Sequence, residues 1–328
     1  MKKRMFVILD KEYEQFCPML KKHFGRPLRL RKCLYGGDFS GKSWYETLDQ
    51  FLTKDLGFTR SRVEGCLYIY RDSTRWIKMI NYVDDALYYS NDDEMKKNFE
   101  KRLSKKFHLS LMGEAKWYLG MRITQKKNYI SLDQDQYVKN ITARFEKAFK
   151  HPFKGKQSPL PTNFVPSKKD SPTTEEQIKE TKLRFGNLNY RSVIGALLYV
   201  SCCTRPDITY AVNKLAKFSH NPGIIHFRAL LHLIGFLKNT SYKGLKFFSD
   251  FKCSNVYKLL INNNIKTTED SVIIFSDSSW NDCIDTGRST VDIFLLIKVD
   301  LQIMEVIYQY QLQCLVEKQN TYLLQLHV

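Results

Sequence analysis

Apolar side chains recur along this chain at two spacings, and the changes between them mark its elements. From Trp76 to Ser90 aromatic and long apolar residues dominate, with Ile77, Met79, Leu87 and Tyr89 at period-two positions, and two adjacent acids interrupt them. The pattern predicts strand, acidic turn, strand, with Asp84 and Asp85 at the tip of a hairpin. Upstream, Phe6–Leu9 reads as a short strand. In Arg26–Gly37, Leu28 and Leu30 alternate with Arg29 and Arg31, which predicts a half-buried strand with a cationic face, ending in a glycine pair. Ser43 and Glu46 have capping-box spacing for a helix carrying Trp44, Leu48, Phe51 and Leu52 on one face and stopped by Gly57. Asn91 and Glu94 mark a second helix start, with Met95, Phe99 and Leu103 inward.

Trp117–Ile123 reads as a turn and strand, and Tyr129–Leu132 as a strand leading into a helix with Ile141 and Phe145 that ends near Lys150. From Pro152 to Glu176 Pro, Ser, Thr and Lys take over and apolar residues are too sparse to form a core, so the segment is expected to be a surface linker. Tyr190–Tyr199 is a buried helix. Thr204-Arg-Pro-Asp207 restarts the chain with proline in a first helical turn, and a further helix runs through His226, Leu230, Ile234 and Leu237. Val272–Trp280 is an apolar strand bearing Asp277. The tail after Thr290 is rich in Gln, Leu and Tyr and carries no placeable pattern.

Charge changes this picture. A formal net charge of +18 and a pI near 9.4 attract polyanions, nucleic acid first among them, while 43% apolar residues suffice for real cores in the two or three modules that 328 residues suggest. The basic start followed by Phe6–Leu9 is too short for a secretory signal and meets Asp10 at once. The longest apolar run, Val193–Cys203, is far short of a membrane span of ~20 residues. An intracellular protein is expected, cytoplasmic or nuclear and not secreted, with no membrane partner. Eight scattered cysteines without a Cys-x-x-Cys pair argue against zinc and for buried, reduced thiols.

Two neighbouring acids at a turn can lean toward one point in solvent, which suits a hard dication such as Mg²⁺ that takes one or two carboxylates besides water and phosphate. Aspartate is equally a common turn former that bonds its own backbone. The glycine pair, Lys42 and a helix N-terminus could receive a phosphate, or the glycines could be punctuation. Lys96, Lys97, Lys101, Arg102, Lys105 and Lys106 form a basic helix that could face nucleic acid or simply solvent. His220, His226 and His232 have no partner motif and are read as structural.

Tyr82-Val-Asp-Asp85 between apolar strands resembles the catalytic hairpin of reverse transcriptases. Leu34-Tyr-Gly36, Trp44-Tyr45, Leu56-Gly-Phe58 and Cys66-Leu-Tyr68 resemble the frame preceding that hairpin in the copia-type retrotransposon branch, and Trp117–Ile123 resembles the segment following it. Tyr190 through Thr204-Arg-Pro-Asp-Ile208 to His226 is similar to the helical stretch before ribonuclease H. Val272–Trp280 with Asp285–Thr290 resembles that domain's first catalytic strand. The resemblance implies an α+β fold: a palm-like antiparallel sheet with helices (1–150), a linker (151–187), a thumb-like helical connection (188–243) and a partial ribonuclease H-like segment (244–328).

It implies RNA-directed DNA polymerase chemistry by a two-metal mechanism, with Mg²⁺ (or Mn²⁺), an RNA template, a DNA primer and deoxynucleoside triphosphates. Asp84 and Asp85 would be the catalytic metal ligands and Asp277 a ribonuclease H-like metal ligand. Arg29, Arg31, Lys42, Lys101 and Lys105 would contact nucleic acid. The family carries a further catalytic aspartate on a strand upstream of Leu-Tyr-Gly, and this chain is read as starting after it and as truncated at both ends. Asp10 lies too near Leu34 to match it. Gly37-Asp38 stands where the family more often has Leu-Lys, and Glu305 and Glu317 do not fit its pattern. Weak or no activity is therefore expected of the chain alone, and a non-catalytic nucleic-acid-binding remnant or a decayed reading frame stand as alternatives.

Overall fold

The computed structural model of the chain describes residues 6–16, 18–30, 33, 37, 39–248, 262, 272–279, 283–287 and 290–297. The chain divides into two compact units, Met1–Ala115 and Lys116–Val328. The boundary falls inside residues 1–150, the stretch that the resemblance implies as one palm-like module.

The first unit opens with a small antiparallel pair, β1 (Phe6–Ile8) on β2 (Pro27–Arg29), in which Val7 lies opposite Leu28. Its main body is an antiparallel sheet in the order β3 (Thr59–Arg60), β4 (Leu67–Asp72), β5 (Arg75–Tyr82) and β6 (Asp85–Ser90). Helices α1 (Ser40–Gln50) and α2 (Asp93–Lys106) supply the apolar residues that cover one face. The alternation in β5 selects that face. Ile77 and Met79 point inward beside their cross-strand neighbours Tyr70, Tyr68 and Tyr88, and meet Leu48, Phe51, Leu52, Phe58, Phe99 and Leu103 in one core. Each such buried side chain contributes roughly 1.5–3 kcal/mol of transfer free energy.

Both expected helix starts shift. Helix α1 begins at Ser40 behind Phe39, so Ser43 is already inside it, and its carbonyl accepts the Thr47 hydroxyl at 2.7 Å. The cap of α2 is Asp92, whose carboxylate accepts the Met95 N–H at 2.6 Å. Asn91 is used elsewhere: it accepts the Trp76 N–H at 2.8 Å and donates to the Thr74 carbonyl at 2.9 Å, tying the end of β6 to the start of β5.

Among its described residues the second unit joins a sheet in the order β10 (Gly244–Phe248), β9 (Tyr129–Asp133), β8 (Met121–Lys126) and β7 (Trp117–Tyr118) to five α-helices. These are α3 (Asp135–Phe149), α4 (Glu175–Phe185), α5 (Tyr190–Cys203), α6 (Thr209–Ala216) and α7 (Ile224–Asn239). Leu119 and Gly120, both with positive φ, make the β7–β8 turn. Val138, Ile141, Val193, Leu197, Leu215, Leu230 and Ile234 are among the residues of a continuous core. Arg205 of the Thr-Arg-Pro-Asp motif is buried in it. Its guanidinium pairs with both Asp207 oxygens and bonds the Thr240 carbonyl and hydroxyl, all at 2.8 Å, fixing the start of α6 against the end of α7. His226 is structural as expected: it is buried, stacks on Phe218 at 4.0 Å, and its Nδ1 accepts the Gly223 N–H at 3.0 Å.

The stretch expected as a surface linker packs down instead. Phe153 is buried against Phe149, Leu160 and Phe164 lie on the helical core, and the Lys156 N–H donates to the Gly235 carbonyl. Its few apolar residues build no core of their own but complete one made by α3 and α7. Strands β11 (Val272–Ser279) and β12 (Thr290–Ile297) pair antiparallel, with Asp277 opposite Asp292. Between them Asp285 accepts the Ser167 hydroxyl and the Lys168 N–H, each at 2.8 Å. Among the described residues the five free cysteines are not fully buried, and Cys202 is exposed, contrary to the expectation of buried thiols. No helix among the described residues is long and apolar enough to cross a membrane.

Candidate active site

The hairpin has a two-residue loop. Tyr82 pairs with Asp85, leaving Val83 and Asp84 as the turn residues. The acids are therefore adjacent at the tip, Asp84 within the turn and Asp85 as the first residue of β6, and both are exposed. Such short loops need a residue with positive φ, a position usually filled by Gly, Asn or Asp. Here Val83 holds it at φ 52°. A β-branched residue there is strained by on the order of 1–3 kcal/mol, which persists only where the surroundings impose it. Two donors converge on the Val83 carbonyl: the Trp44 indole N–H at 2.7 Å and the side-chain amide of the buried Asn81 at 3.2 Å. Trp44 is in turn set edge-on to Phe107 at 5.3 Å, and Phe107 to Phe51 at 5.3 Å.

Alternation places Asp85 on the face of the sheet opposite the helices. Ile77, Met79 and Asn81 are buried, so Lys78, Ile80 and Tyr82 face the other way, paired with Tyr89, Leu87 and Asp85 in turn. Successive pairs along this face are about 6.6–6.8 Å apart. Tyr82 is 59% and Tyr89 61% exposed, Trp76 lies 5.4 Å from Tyr89, and the Lys78 ammonium sits 5.0 Å over the Trp76 ring. The exposed ring of Tyr82 beside Asp85, and that of Tyr89 two pairs further along, suit the stacking of polynucleotide bases, while Trp76 itself is buried.

The other candidate residues are more dispersed. Arg29 is exposed at the end of β2, whereas Arg31 lies outside the described residues. Lys42, on the first turn of α1, is 4.0 Å from Glu46. Lys101 and Lys105, exposed and four apart, share one face of α2. Asp10 is exposed and accepts the Lys11 N–H at 2.6 Å. Asp277 belongs to the second unit, its backbone alone being described; Glu305 and Glu317 lie outside the described residues.

Among the described residues no group of three or more His, Cys, Asp or Glu side chains forms a metal cage. Asp84 and Asp85 offer instead an open, two-carboxylate oxygen set, which fits a dication that keeps water and substrate phosphate in its remaining positions. The sequence pattern missed Trp44 and Asn81 as parts of this site. Trp44 was visible as an apolar helix residue, but its use as a donor depends on a carbonyl 39 positions away.

The family model for reverse transcriptase (RNA-dependent DNA polymerase) matches residues 19–154. The chain is 32% identical over 224 residues to the retrovirus-related Pol polyprotein from transposon TNT 1-94 of Nicotiana tabacum, a match covering 67% of this chain and 16% of that relative. It is 30% identical over 217 residues to the retrovirus-related Pol polyprotein from transposon RE1 of Arabidopsis thaliana, covering 66% and 14%. With a transposon Ty5-1 protein of Saccharomyces cerevisiae the identity is 29% over 221 residues, covering 66% and 67%. This chain thus spans only a small part of the two polyproteins. No solved structure matches it significantly.

Proposed function

Since residues 19–154 belong to the reverse transcriptase (RNA-dependent DNA polymerase) family and two thirds of the chain aligns with copia-type retrotransposon polyproteins, we propose that the β5–β6 hairpin is a nucleotidyl-transfer site. Its substrates would be an RNA template, a DNA primer and deoxynucleoside triphosphates, in the cytoplasm or nucleus. The observation that carries this is the pair of adjacent, exposed carboxylates, Asp84 and Asp85, at the tip of the hairpin beside Tyr82.

Bound Mg²⁺ or Mn²⁺ would supply charge stabilisation and an activated 3′ hydroxyl in a two-metal mechanism. Asp84 and Asp85 provide its oxygens, while Tyr82 and Tyr89 offer rings on which bases can stack. Arg29, Arg31, Lys42, Lys101 and Lys105 supply sequence-independent affinity for phosphates, which weakens with salt. Asp277, with Asp292 opposite it, is the acid we assign to a ribonuclease H-like segment.

Because no third acid joins Asp84 and Asp85 among the described residues, turnover by this chain alone is expected to be low. That same observation favours a second reading, a nucleic-acid binder without chemistry. Primer extension on a heteropolymeric RNA template, run beside Asp84→Asn, separates the two. Extension that the substitution abolishes supports polymerase chemistry. Salt-sensitive binding of the template–primer without extension supports the binder.

A further inference from the structure

We infer that Trp44 and Asn81 are positioning residues that hold Asp84 and Asp85 in their presenting geometry by clamping the strained Val83 carbonyl; this rests on the site proposed above. A two-residue loop with valine at positive φ opposes its own side-chain sterics, and the chain would escape by rotating the Val83–Asp84 peptide or by slipping register. A one-residue slip would turn Asp85 toward the helix-covered face. The peptide plane that must not rotate is the one whose carbonyl receives both donors, the indole N–H at 2.7 Å and the Asn81 amide at 3.2 Å. The same plane carries the Asp84 amide nitrogen and Cα, so fixing it anchors the point from which the Asp84 side chain leaves the backbone.

The two donors come from different places. Asn81 lies in β5 itself, two residues before Val83, and is buried. Trp44 projects from α1 and is held by the Phe107 ring, itself set edge-on to Phe51, so it cannot simply follow a moving turn. Helix α1 thereby acts on the acids without touching a substrate. Val83 need not be glycine because the restraint is external. Asparagine, which tolerates the left-handed region, should make the indole bond dispensable.

The test uses the full chain and Mn²⁺ as probe, following paramagnetic broadening of the backbone amide signals of residues 82–86 to obtain a dissociation constant, alongside the thermal midpoint. Asp84→Asn first establishes the site: if the wild-type broadening survives that substitution, both the site and this inference fall. With the site established, Trp44→Phe, which keeps an aromatic ring against Phe107 but lacks the N–H, is expected to weaken Mn²⁺ binding about three- to tenfold, the worth of one neutral hydrogen bond. Adding Val83→Asn to Trp44→Phe should restore binding to within about twofold of wild type, which a merely structural role for Trp44 would not produce. An unchanged dissociation constant in Trp44→Phe, or loss without recovery in the double variant, overturns the inference while leaving the site standing. Asn81→Ala repeats the test without disturbing the Phe107 packing, also with recovery on adding Val83→Asn. If Trp44→Phe does not fold, an unchanged constant in Asn81→Ala overturns the inference.

Discussion

Acidification should loosen the helical unit through His226, and Gln in its place should remove that sensitivity. His226 lies at the third position of α7, fully buried, and its Nδ1 accepts the Gly223 N–H, so adding a proton there would set donor against donor. Burial holds its pKa below the usual 6.5, against the upward pull of Asp170, of the Ser167 backbone and of Asp285. Because the folded ring resists a proton that the unfolded chain accepts, the unfolded state binds more protons as pH falls through 6.5, and stability falls with it. For one such group the loss between about pH 7.5 and about pH 5.5 is at most roughly 1.4 kcal/mol, and the two nearby aspartates make the real figure smaller. Gln keeps the capping geometry, since Gln at the third helical position also accepts the cap N–H, but it neither titrates nor stacks on Phe218. His226→Gln should cost about 1 kcal/mol at neutral pH from the lost ring contact, and its stability should fall less on acidification. Hydrogen exchange of the α7 amides in the full chain, corrected for intrinsic rates, measures both. His232, its pKa also lowered by burial, contributes with the same sign, so the quantity to compare is the difference between the two proteins. Equal pH slopes would refute the assignment.

Primer extension in Mg²⁺ or Mn²⁺ by Asp84→Asn and by Asp85→Asn should each fall to background with the thermal midpoint held; activity retained by either would remove that acid from the site. Lys101→Ala with Lys105→Ala should weaken template–primer binding similarly for all sequences and lower the salt slope by about 0.7–0.9 per lost phosphate contact, read by fluorescence anisotropy across a salt series. Phe99→Ala, which removes a buried ring beside Phe58 and Tyr88, should destabilise the first unit by about 3–5 kcal/mol in urea unfolding, whereas a loss under 1 kcal/mol would contradict the packing. Gly235→Ala should free residues 153–158 to proteolysis after Lys154 and Lys156, because a side chain at 235 would collide with the Lys154 carbonyl; unchanged digestion would show that the segment is not held there.

Elements with a clean period were legible from sequence: β5 and β6 with their acidic turn, α3 with Ile141 and Phe145 inward, and the buried helices α5 and α7. Where two local signals competed, spacing could not choose. Asn91 and Asp92 are both good caps, and the helix took Asp92 only because the edge of β5 claimed Asn91. Ser43 with Glu46 had capping-box spacing, yet helix α1 had already started at Ser40. Residues 152–176 show the limit of composition: sparse apolar residues exclude a self-made core but not docking on another, and Phe153, Leu160 and Phe164 do the latter. The pairing of β10 with β9 joins residues more than a hundred positions apart and leaves no local trace.

The candidate site divides along the same line. That Asp84 and Asp85 are neighbours at a turn follows from the interruption of an apolar run, and any hairpin with that register would expose them. What holding a dication would require is narrower: both carboxylates kept in place on a turn whose positive φ the valine at 83 disfavours. A glycine at 83 would have met the turn's local demand and, with its wider backbone freedom, left the acids on a mobile tip. With valine the restraint comes from Trp44 and Asn81, so the stiffness of the tip is a property of the α1–sheet packing. A substitution in the core beneath α1, such as one at Phe51 or Phe107, should therefore reach the acids through the indole before it unfolds the unit.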